Sequence, residues 1–145
     1  MKGEGLRVCS ANGFTLLLYP ESLFDTGTGI EAMKGELSNY SIELSLQLIE
    51  FYRYLSIEQK EFVMSKQILR SGTSIGANIH EANYAVSKAD FINKLQIAVK
   101  EAAETEYWLI ILERSGFFDE RFLPLKRLLD STKRMLVSSL NTAKK

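Results

Sequence analysis

Residues 66–85, KQILRSGTSIGANIHEANYA, decide how the rest of the chain is read. Ile68, Leu69, Ile75 and Ile79 recur at mixed three- and four-residue steps, the spacing of an apolar stripe on a core-facing helix. Between them stand Ser71, Gly72, Ser74, Gly76 and Ala77, all small. A glycine inside a helix costs up to about 1 kcal/mol relative to alanine, so two of them four residues apart need a compensating role. Gly72 and Gly76 share a helix face, where the missing side chains let a neighbouring backbone come near. Arg70, Ser74, Asn78 and Glu81 form a second, polar line at steps of four, four and three. Small and polar lines side by side describe a helix packed on more than one side.

Helical patterning extends in both directions from this stretch. A first helix is expected over residues 39–55, with Ile42, Leu46, Ile49 and Tyr52 in line and Leu48, Phe51 and Leu55 widening the stripe. Ser56 with Gln59 three residues later has the capping-box form, which predicts a second helix over residues 57–84 with Phe62, Val63 and Met64 in its first turns. Ser87 and Asp90 repeat that signature ahead of a third helix ending near Arg114, its apolar line made of Phe91, Leu95, Ala98, Ala102, Trp108 and Ile111. Gly116 supplies the stop. A fourth helix starts between Asp119 and Pro124, since proline fits only the first turn, and carries Leu125, Leu128, Leu129, Met135, Leu136 and Leu140. Four amphipathic helices with short connections predict an all-α fold, an antiparallel up-down four-helix bundle over residues 38–145.

Residues 1–37 differ. They are rich in glycine, DTGTG at 25–29 reads as linker, and Asn12-Gly13 between two apolar stretches is a two-residue hairpin signal. This extension is expected to be loosely packed. Met33-Lys34-Gly35-Glu36 repeats Met1-Lys2-Gly3-Glu4, which raises Met33 as an alternative start with residues 1–32 upstream of it. At 145 residues, with 46% hydrophobic and 25% charged residues, the chain is one soluble domain with enough length for a real core. Its single cysteine, Cys9, excludes an internal disulfide and points to a reducing compartment. Apolar runs are too short to span a membrane, and FTLLLY at 14–19 is too short for a signal-peptide core, so the expected location is the cytoplasm.

Residues suited to catalysis are scarce. The only histidine, His80, has Ala77 three residues before it, so the Glu-x-x-His pairs of a di-iron bundle are missing. Glu101 and Glu104 share a face and Glu81 could join them across the bundle, a set that would suit a hard cation. The better reading has Arg70 meeting Glu101, Glu104 or Glu106 and fixing helix register. Cys9 lies in the loose segment with no histidine in view, and the two helical glycines make no phosphate loop. The expectation is a non-enzyme with no metal and no cofactor.

Net charge is zero, but from Arg121 onward seven basic residues face one acid, Asp130. Arg121, Lys126, Arg127, Lys133 and Arg134 are therefore the candidates for a nucleic-acid-binding face. Aromatic residues are numerous for a four-helix core and the stripes are wide, which suggests self-association.

The run from Phe62 to Ala82, and residues 90–109, DFINKLQIAVKEAAETEYWL, closely resemble a bacterial four-helix-bundle family whose founding members are encoded in intervening sequences of large-subunit ribosomal RNA genes. The resemblance covers about residues 33–145 and rests on the spacing of Arg70-Ser71, Ser74-Ile75, Asn78-Ile79 and Glu81. It implies an antiparallel bundle, often a homopentameric ring, in which Arg70, Ser74, Asn78, Glu81, Glu101 and Glu104 form a structural polar cluster. A related branch, the accessory protein of diversity-generating retroelements, is basic and binds nucleic acid, which implies RNA or DNA as an alternative partner. Residues 33–145 carry only a small positive excess, short of that branch's character. The first reading is a structural or interaction module that assembles with itself, with no membrane partner.

Overall fold

The computed structural model describes the backbone of residues 10–11, 14–15 and 29–145, with side chains from 35 onward. β1 (Ser10–Ala11) pairs antiparallel with β2 (Phe14–Thr15), Ser10 opposite Thr15 and Ala11 opposite Phe14. Of the expected N-terminal extension, residues 29–37 are instead the first turns of a helix, with Leu37 buried in the core, and the remainder, Cys9 included, lies outside the described residues. Four helices follow: α1 (Gly29–Arg53), α2 (Met64–Ala82), α3 (Lys88–Arg114) and α4 (Leu123–Lys144). Each packs on its neighbour in the chain and α1 closes the ring on α4, giving an all-α antiparallel four-helix bundle.

The core is one stripe from each helix. α1 contributes Leu37, Leu44, Leu48 and Phe51, α2 contributes Ile68, Ile75 and Ile79, and α3 contributes Leu95, Ala98, Ala102, Leu109 and Leu112. α4 adds Leu125, Leu129, Leu136 and Leu140. On α1 the expected leading line is wrong. Ile42 and Leu46 are 52% and 41% exposed, while the line through Ser41, Leu44 and Leu48 faces inward. The two lines are offset by part of a turn, and the competing inner line runs through buried Ser41, which hydropathy does not mark as core. On α3 the inner line passes through Thr105, fully buried, rather than through half-buried Trp108.

The boundary between α1 and α2 also corrects the sequence reading. Ser56 does not cap α2. Tyr54–Glu58 is a π-helical turn continuing α1, and the Ser56 hydroxyl donates back to the Tyr52 carbonyl at 2.7 Å. The chain reverses at Lys60, left-handed at φ 55°, with Glu61 N–H closing on the Leu55 carbonyl at 2.8 Å. Glu61 then supplies the cap. Its carboxylate accepts from the backbone N–H of Val63, Met64 and Ser65 at 3.0, 2.9 and 2.6 Å. Partial burial pushes this carboxyl upward, but the bonds from Met64, Ser65 and Val63 outweigh it and hold it below the ordinary range. Other signals read correctly. The Ser87 hydroxyl accepts from Asp90 N–H at 3.1 Å, and Gly116 adopts φ 81° as Phe117 N–H closes on the Leu112 carbonyl at 2.9 Å.

Much of the aromatic surplus plugs one end of the bundle. Phe51 meets Phe122 at 4.8 Å and Phe118 at 5.9 Å between ring centroids, Tyr54 meets Phe122 at 5.1 Å, and the Arg121 guanidinium lies 4.4 Å over the Tyr54 ring. Burial and the nearby Asp119 charge raise the Tyr54 phenol above its usual pKa, against the opposing effect of Arg121.

Candidate interaction surfaces

Packing of α2 against α3 on one side and α1 on the other explains the small residues of the opening stretch. Ser71 and Thr105 are fully buried and joined by a hydroxyl–hydroxyl bond of 3.0 Å. A methyl added at Gly72 would stand 2.1 Å from Leu48 Cδ1, so the space there is filled by an α1 side chain and not by backbone. At Gly76 the neighbours are the Ser41 carbonyl and the Ser41 and Ser45 hydroxyls, all at 3.4 Å. Close approach therefore holds at Gly76, whereas Gly72 receives a knob.

The polar line does not converge on one site. Arg70 donates to Glu104 at 3.0 Å, and Glu104 also accepts from Trp108 Nε1 at 3.3 Å. Ser74 and Asn78 bond back to the carbonyls of Arg70 and Ser74, each at 2.8 Å. Glu81 pairs with Lys94, whose ammonium it holds above its ordinary pKa. Glu101 has one carboxylate oxygen buried without a partner among the described residues. Arg70 and Glu104 are thus brought together, but Glu81 is turned to a different partner. Among the described residues no three His, Cys, Asp or Glu side chains gather as metal ligands. His80 is exposed and rests against the Tyr84 ring at 5.5 Å.

The basic residues of the α4 region are mostly matched by acids of the same chain. Arg121 bonds Glu58 at 2.8 Å, Lys126 bonds Glu113 at 2.7 Å, Lys133 bonds Glu106, and Arg134 bonds Asp130 one turn before it. Arg127 is exposed with no ion pair among the described residues. Such exposed pairs contribute about 0–1 kcal/mol each. Their larger effect is to cancel the local field.

What the surface offers instead is apolar. Ile42 and Leu46 lie one turn apart on the outer side of α1, and Tyr107 and Ile110, 55% and 41% exposed, lie one turn apart on the outer side of α3. In the ring of helices α1 and α3 are diagonal, so the two apolar faces look in opposite directions. The sequence held this signal in the width of its stripes, but not which residues would be turned outward. No helix among the described residues is long and apolar enough to cross a membrane.

Comparison with known proteins agrees with this architecture. A crystal structure of a protein of unknown function from the S23 ribosomal protein family of Bacteroides thetaiotaomicron is 47% identical, with a TM-score of 0.73 over 75% of this chain and 98% of that one. No curated protein matches the chain. The family model described as 23S rRNA-intervening sequence protein matches residues 34–138, which span all of α2 and α3, and the chain belongs to that family.

Proposed function

We propose that the protein is a non-enzymatic interaction module that assembles with copies of itself through the outer faces of α1 and α3. The observation that carries this reading is the pair of exposed apolar faces, Ile42 with Leu46 and Tyr107 with Ile110, on diagonal helices. Two unlike faces pointing apart favour head-to-tail contact, and such heterologous contact closes into a ring when the rotation per subunit permits. A homopentamer, implied by the family resemblance, is one such closure. The test is solution mass by light scattering or sedimentation. The wild type is expected as a multiple of 16.4 kDa, while Ile42→Glu/Leu46→Glu and Tyr107→Glu/Ile110→Glu each fall to that single mass with helicity retained. Mixing the two variants leaves one intact face on each and should give a dimer and nothing larger. A monomeric wild type at tens of micromolar would sink the proposal.

RNA or DNA binding through Arg121, Lys126, Arg127, Lys133 and Arg134 has less support, because phosphates would have to compete with Glu58, Glu113, Glu106 and Asp130. Anisotropy of a structured RNA across a salt series decides it. A linear log–log decline of affinity with salt, weakened by alanine at those five positions, would make nucleic acid the partner.

A further inference from the structure

The two ends of the bundle are built differently. One is plugged by Phe51, Phe118 and Phe122. At the other, all four helices surround a cavity of about 310 Å³, with Leu37, Ile79, Ala82, Phe91 and Leu95 on its apolar walls. That volume lies at the lower end of the range for small-molecule sites, about 300–1,000 Å³. Polar groups occur in a small set, Asn83, Lys88, Ser139 and Thr142. Lys88 is exposed and has no carboxylate partner among the described residues, and the nearby Asp90 carboxylate accepts from Val86 N–H. Serines and threonines buried elsewhere in the helices, such as Ser65, Thr105 and Thr132, donate to the carbonyl four residues earlier in the chain. Among the described residues no such bond engages the hydroxyls of Ser139 and Thr142. These two also lie beyond residues 34–138, the stretch that the family model matches.

We propose that this cavity binds a medium-chain aliphatic carboxylate, its tail among Leu37, Ile79 and Leu95 and its head at Lys88. An apolar interior with one free cation and unbonded hydroxyls suits a molecule with a single anionic end. The reading is independent of self-assembly.

The experiment is a calorimetric titration of the full chain with hexanoate, octanoate and decanoate, with amide chemical shifts read in parallel. Each added methylene should tighten binding about fourfold until the cavity is full. Shifts should concentrate at residues 83–95 and 139–143. Lys88→Glu, at an exposed position, should weaken octanoate about tenfold and leave octanol unchanged. Affinity that ignores tail length, shifts scattered over the molecule, or equal effects of Lys88→Glu on acid and alcohol would each overturn the proposal. So would an unliganded chain that binds none of the three acids and shows contacts from residues 16–19 to Leu95, because the chain itself would then fill the site.

Discussion

Replacing Gly72 and Gly76 separately by alanine should move stability in opposite directions. Both changes remove a glycine from a helix interior, which by itself gains about 1 kcal/mol. The tertiary surroundings then separate them. At Gly76 the new methyl meets its neighbours at 3.4 Å, ordinary contact, so the gain survives. At Gly72 it would lie 2.1 Å from Leu48 Cδ1. Leu48 is fully buried and has no solvent to swing into. Forcing it off its rotamer costs about 1–3 kcal/mol, which exceeds the propensity gain. The two variants should differ by about 2 kcal/mol, Gly76→Ala more stable than wild type and Gly72→Ala less. Urea unfolding followed by circular dichroism at one protein concentration measures this, provided the slopes agree. Leu48→Ala completes a cycle. Alone it should cost about 2–5 kcal/mol, but combined with Gly72→Ala the clash is gone and part of the hole is filled, so the double variant should beat additivity by at least about 1 kcal/mol. Equal stabilities for the two alanine variants, or an additive cycle, would refute the reasoning.

Two further outcomes test the interior and the cap. Glu61→Ala removes the acceptor of three backbone N–H groups and should cost about 1–2 kcal/mol at neutral pH. Because the Glu61 carboxyl is held below its ordinary value of 4.5 when folded, its contribution is present above that pH and fades as pH falls through the lower folded value. The gap between wild type and Glu61→Ala should therefore close in acid, and a gap constant with pH would reject the charged cap. Thr105→Val strips the buried Ser71 hydroxyl of its best partner and should destabilise by about 1–2 kcal/mol, with Ser71→Ala added on top costing little more. Simple additivity of the pair would show that the hydroxyls do not act together.

Much of the fold was legible locally. Alternating three- and four-residue steps, the Ser87–Asp90 cap, Pro124 in the first turn of α4 and Gly116 at the end of α3 are signals carried by neighbours in the chain, and backbone geometry reads them wherever they stand. Ser56 misled because a capping pattern competes with continuation of the preceding helix. Here the bond from Ser56 to Tyr52 and the turn at Lys60 won, leaving Glu61, outside any standard motif, as the cap.

The sequence by itself determined that four helices form, which residues are apolar, and that α2 needed small residues. It did not determine which of two apolar lines on α1 faces inward, because hydrophobicity sets how much surface must be buried and shape sets which. Packing turned Ser41 and Leu48 inward toward α2 and left Ile42 and Leu46 outside. Nor did it say that most charges of the α4 region are matched, since Glu58, Glu106 and Glu113 are distant in sequence and meet Arg121, Lys133 and Lys126 only once the bundle closes. Periodicity is local, whereas choice of partner is a property of the closed bundle.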